Sequence, residues 1–155
     1  MSSRAQRRKH EIDQGEARKN FINNLSKLFK FILSKNRQDS ILLDIKDKFI
    51  IARKEDPDLV VQKAGEYLLK YGKQIQNKDV RFFLTGDFKE DIEKATEDEF
   101  MVDESSVEYI ETIIQTARKT WRLFSNLEQE TIMKLVQRLL SDAAKYTLAT
   151  RALAT

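Results

Sequence analysis

The only imidazole in the chain is His10, set in the basic stretch Arg4-Ala5-Gln6-Arg7-Arg8-Lys9-His10. A general base needs a positioned, partly buried setting that tunes its pKa, and a terminal segment rarely supplies one. His10 reads as a solvated member of a basic patch. Carboxylates are more numerous. Asp87 and Asp91 lie four residues apart, as do Glu99 and Asp103, a spacing that can set pairs on one helix face. Hard divalent cations take such oxygen ligands. But the acidic segment 87–111 lacks the EF-hand spacing with its central glycine, and no Glu-x-x-His of a di-iron bundle occurs. A solvated acidic surface is the reading, with no metal.

Other chemistries fall away on composition. There are no cysteines, which excludes a disulfide framework, cysteine-ligated zinc or iron–sulfur clusters, and thiol catalysis. Serines have no positioned base beside them, so a hydrolase triad has no support. Gly65, Gly72 and Gly86 stand apart, without the GxxxxGK or GxGxxG spacing of a phosphate-cradling loop. The expectation is a non-catalytic protein without a cofactor.

What remains is charge. Arg4, Arg7, Arg8 and Lys9 are the candidate partner-binding residues, each able to neutralise one phosphate without reading sequence or to dock on an acidic protein surface. Residues 1–37 hold ten lysines and arginines against three acids, a charge of +7, whereas residues 87–111 hold eleven acids against two lysines, a charge of −9. A basic end and an acidic middle imply electrostatic partners. Aromatic residues argue less for ligands. Trp121 and Phe124 sit on a helical seam, and Tyr67, Tyr71, Phe82 and Phe83 lie among apolar neighbours, so core packing is their reading. No strand carries the aromatics of an RNA-recognition fold. No connected helix pair has the short glycine-containing turn of a helix-turn-helix.

The elements that position these residues read as helices. Four glycines and one proline are too few for a fold of hairpins and tight turns. The most consistent stretch runs from Asp103 to Phe124, with Val107, Ile110, Ile114, Ala117, Trp121 and Phe124 at a 4-3 repeat, Asp103 as cap, and Trp121 expected in the core. Ser125-x-x-Glu128 has capping-box spacing and opens a last helix through Ile132, Val136, Leu139, Ala143, Tyr146 and Leu153. The short link between these two helices predicts an antiparallel hairpin. Asp56-Pro57 marks another helix start, with Gly72 as its stop. Asp39 or Ser40 caps the helix before it. Residues 16–36 form a first helix around Phe21, Leu25, Leu28 and Ile32, and Gly15 is expected to interrupt any helix that begins earlier. Val80–Leu84 reads as a short buried helix or a turn and Asp87–Ala95 as one short helix, followed by a charged loop that leads Phe100-Met101-Val102 towards the core.

The fold class expected is therefore all-α, a compact bundle-like array of five to six helices. A basic N-terminal arm, residues 1–15, would precede a single helical domain, residues 16–155. No apolar run approaches the ~18 residues of a membrane span, and the basic amino terminus lacks the apolar stretch of a secretory signal. An intracellular, soluble protein is expected. The function expected is a structural or interaction role among the protein subunits of a large assembly, such as an accessory subunit of a viral capsid within a virion. The alternative is a nucleic-acid-associated protein that binds phosphates through its arm.

Overall fold

The computed structural model describes residues 3–97 and 107–155. Among them the chain is all-helical, in eight helices: α1 (Arg4–Leu33), α2 (Ser40–Glu55), α3 (Pro57–Lys70), α4 (Gly72–Gln76), α5 (Val80–Thr85), α6 (Lys89–Thr96), α7 (Val107–Trp121) and α8 (Asn126–Ala154). The count exceeds five to six because residues 72–96 break into three short helices. Asp79 caps α5 by accepting from Phe82 N–H at 3.3 Å. Gly86 ends α5 where an added Cβ would sit 2.6 Å from the Phe82 carbonyl oxygen; α3 stops at Lys70 with Tyr71 as its C-cap, just before Gly72, and Gly72 also opens α4. Glu99, Phe100, Met101, Val102 and the expected cap Asp103 lie outside the described residues.

The separate basic arm is replaced by helix. α1 is continuous from Arg4 to Leu33, through Gly15. Its start is a capping box: Gln6 N–H donates to Ser3 Oγ at 3.1 Å and Ser3 N–H to Gln6 Oε1 at 3.0 Å. A glycine within a helix costs about 0.5–1 kcal/mol relative to alanine. Good helix formers on both sides, together with packing on α8, outweigh that penalty. Arg7 Nη1 donates to the Leu153 carbonyl at 3.2 Å, Gln14 Nε2 to Thr150 Oγ1 at 2.9 Å and Asn24 Nδ2 to Asp142 Oδ2 at 2.9 Å. These bonds run in opposite order along the two helices, so α1 and α8 pack antiparallel over most of their length. The last bond also satisfies a buried carboxylate.

The tight core lies where α3 joins this pair. Ala17 and Phe21 of α1, Val61 of α3 and Leu139, Ala143 and Tyr146 of α8 form one buried cluster. Small residues set the crossing: a Cβ on Gly65 would meet the Ala143 Cβ at 3.4 Å. Asp56 caps α3, accepting from Leu59 N–H at 3.1 Å with Pro57 in the first turn. Asp39 caps α2 through Leu42 N–H at 2.9 Å, and Ser125 and Glu128 close their box at the start of α8.

The expected α7–α8 hairpin does not form. α8 spends its apolar surface on α1 and α3, whereas α7 packs on α6 and α2. Phe124, buried in the link, stacks on Phe31 of α1 at 5.5 Å between ring centroids. The α7 seam is correspondingly looser than its pattern suggests. Ile110 is buried, Trp121 is half-buried and Ala117 is exposed, while Thr120 is 2% exposed and accepts from Asn36 Nδ2 at 3.1 Å.

Candidate functional site

Splaying α7 away from α8 leaves a cavity of about 830 Å³ between them, partly open to solvent. Phe21, Leu25 and Leu28 of α1 form its floor. Ile45 and Phe49 of α2, Ile110, Ile113, Ile114 and Trp121 of α7, and Ile132, Val136 and Leu139 of α8 form its sides. α3 and the short helices contribute Ala64, Leu68, Phe83 and Ile92. The wall is almost wholly apolar because the core-facing stripes of several helices converge without meeting. This explains why Trp121 is half-buried.

Polar groups on the wall are organised as ties between helices. On one side Tyr109 of α7 donates its hydroxyl to Asp44 of α2, while Lys48 pairs with Asp44 at 3.0 Å and lies 4.8 Å from the Tyr109 ring centre. The Tyr109 bond, and then Lys48, hold the Asp44 carboxyl below the usual range. Burial and the adjacent carboxylate push the Tyr109 phenol up. On the other side Tyr71 donates to Asp91 of α6, and Lys70 pairs with Asp91 at 2.6 Å. Burial opposes the Asp91 charge, but Lys70 and Tyr71 outweigh it and its pKa is lowered. Arg118 of α7 differs. Its Nε donates to the Phe83 carbonyl at 3.1 Å and its Nη2 to the Gly86 carbonyl at 2.7 Å, and no carboxylate pairs with it among the described residues.

The residues singled out from the sequence lie elsewhere. Arg4, Arg7, Arg8 and Lys9 occupy the first two turns of α1, all exposed. Arg7 turns towards α8 and Glu11, the latter at 3.7 Å. Arg4, Arg8 and Lys9 pair with no acid among the described residues, and the same holds for the exposed Lys19, Lys27 and Lys30 further along. At 3.6 residues per turn Arg8, Lys19 and Lys30 fall within about 40° of one line along the helix. Arg4, Arg8, Lys19 and Lys30 thus form a stripe on a helix about 45 Å long, with Lys9 and Lys27 about 100° round from it. The signal for this was Ser3-x-x-Gln6, a capping box at the head of the basic run. His10 lies on α1, away from the cavity wall.

Asp87 and Asp91 do not share a site. Asp87 accepts from Lys89 N–H at 3.0 Å, whereas Asp91 faces Lys70 and Tyr71. Among the described residues no three metal-ligating side chains gather, and no helix is long and apolar enough to cross a membrane. The molecule is thus defined as an all-helical array with a central apolar cavity and a basic outer helix. No family model matches the chain, and neither a curated protein nor a solved structure gives a match.

Proposed function

We propose that the protein is a non-catalytic interaction protein that joins a larger assembly by docking the basic stripe of α1 on an acidic protein surface. One observation carries the reading: Arg4, Arg8, Lys9, Lys19, Lys27 and Lys30 are exposed on one helix with no acidic partner among the described residues. A helix already fixed along α8 loses little backbone freedom on docking, which lowers the entropic penalty of binding. The role envisaged is that of an accessory subunit. The fold favours no particular kind of assembly, a viral capsid included.

The stripe also favours a second reading, association with nucleic acid. A straight row of cations suits a phosphate backbone, with affinity that falls steeply as salt rises. The triple variant Arg4→Glu/Arg8→Glu/Lys9→Glu separates the two. In native extract the wild-type chain should sediment with a larger particle and the variant should be released. A random-sequence 30-base-pair duplex should bind wild type weakly. Should duplex affinity be high, with a slope of log affinity against log salt that flattens by about 0.9 for each phosphate the variant no longer neutralises, the nucleic-acid reading replaces the first. Unchanged sedimentation of the variant would contradict docking through the stripe.

A further inference from the structure

We propose that the central cavity is a binding site for a long-chain fatty acid, its chain among the apolar residues between α7 and α8 and its carboxylate at Arg118. A volume of about 830 Å³ lies in the range of ligand pockets, roughly 300–1,000 Å³. The wall is suited to an alkyl chain. Charge then selects the head group. Of the charged side chains described on the wall, Lys48 pairs with Asp44, and Asp91 is held by Lys70 and Tyr71. Arg118 uses two of its five N–H donors on neutral carbonyls of Phe83 and Gly86. Its charge is left without a carboxylate among the described residues at the edge of an apolar space, where a carboxylate is attracted far more strongly than in water. The two carbonyl bonds also fix the guanidinium in position before a ligand arrives.

The chain carries its own reporter. Trp121 is the only tryptophan and lines the cavity, so displacement of water by an alkyl chain should shift its emission to shorter wavelength. The test titrates the full-length protein with palmitate, hexadecanol and hexadecyltrimethylammonium, each below its aggregation concentration. Palmitate should give a saturable blue shift at one equivalent, with the alcohol and the cation at least tenfold weaker. Arg118→Gln should weaken palmitate at least tenfold and leave hexadecanol unchanged, and Arg118→Lys should recover much of the loss. Ala117 is exposed towards the cavity and is part of its lining, so Ala117→Phe, which adds a ring there, should abolish the shift with its helical circular dichroism retained. Should Arg118→Gln fail to fold, the wild-type comparison of head groups and Arg118→Lys decide the matter. Equal affinity for all three probes would overturn the assignment of Arg118. Palmitate binding unaltered in Ala117→Phe would overturn the cavity as the site. Absence of any saturable shift, or a concentration-dependent dimer that covers the cavity and excludes palmitate, would overturn the site itself.

Discussion

Tyr146 of α8 donates its hydroxyl to Asp58 in the first turn of α3, at 2.7 Å, and Arg18 of α1 reaches the same carboxylate at 3.2 Å. One carboxylate thus joins the three helices that form the tight core, beside a helix N-terminus where negative charge is favoured. Tyr146→Phe should destabilise the fold by about 1–2 kcal/mol, the range for a hydrogen bond to a partly screened charged acceptor, as read by urea denaturation. Burial first, and then Asp58, raise the Tyr146 phenol above its ordinary 10.0. A raised folded pKa contributes stability that is present below the unfolded value and lost as pH rises through the folded one. Stability of the wild type should therefore decline above pH 10, and less so in Tyr146→Phe.

The opposite limb comes from the cavity ties. Asp44 and Asp91 both titrate below the ordinary 3.8 in the fold. A depressed carboxylate contributes stability above its unfolded pKa and loses it as pH falls through the folded value. Thermal melts should drop as pH goes below 3.8. The double variant Asp44→Asn/Asp91→Asn should start lower and show a shallower drop. Parallel pH profiles for the two proteins would contradict this.

Two glycines should respond in opposite directions to alanine. At Gly15 an added Cβ meets only Arg18 Nη2, at 3.9 Å, and the residue sits within α1. Gly15→Ala should stabilise by about 0.5–1 kcal/mol through helix propensity and a more restricted unfolded chain. At Gly86 the new Cβ would press on the Phe82 carbonyl at 2.6 Å and the Phe88 ring at 3.0 Å. Gly86→Ala should lower the melting temperature by displacing the turn that Arg118 holds.

Trp121 borders open space on one side, so its truncation removes less packing than in a closed core. Trp121→Ala should cost less than the ~3–5 kcal/mol typical of a large core aromatic. Emission of the native protein should lie between the buried and the fully exposed limits. A loss of about 4 kcal/mol or more, on the order of a packed site, would mean that the cavity is closed around the indole.

Local signals in the sequence were reliable guides to helix boundaries. Asp56-Pro57 and Ser125-x-x-Glu128 cap where the spacing placed them, and of the two candidates Asp39 and Ser40 it is Asp39 that caps α2, because each involves groups within three residues of one another. Helix pairing was not legible in the same way. The 4-3 repeat of α7 says which face is apolar and not whether α8 or α2 covers it. That outcome depends on Ala17, Gly65 and Ala143 allowing α1, α3 and α8 to approach closely. The cavity was hidden for the same reason, since apolar stripes that converge and stripes that meet have the same pattern. Gly15 misled because a single glycine penalty is small beside a helix-length interface, and because the cap at Ser3 lies ahead of the basic residues and starts the helix before them. Arg118 had no signal beyond its favourable position near the end of α7, its acceptors being backbone carbonyls of another element.

The proposed docking mode depends on the basic residues being displayed by a rigid helix held against α8, and backbone amide hydrogen exchange tests that most directly. Amides of residues 8–15, past the free N–H groups of the first turn, should be protected, and Gly15 should show no break. Protection there should fall when α8 is shortened by residues 147–155, which removes Thr150 and Leu153, the acceptors of Gln14 and Arg7. Exchange of residues 4–15 at the rate of an unstructured peptide, in the intact chain, would contradict the account.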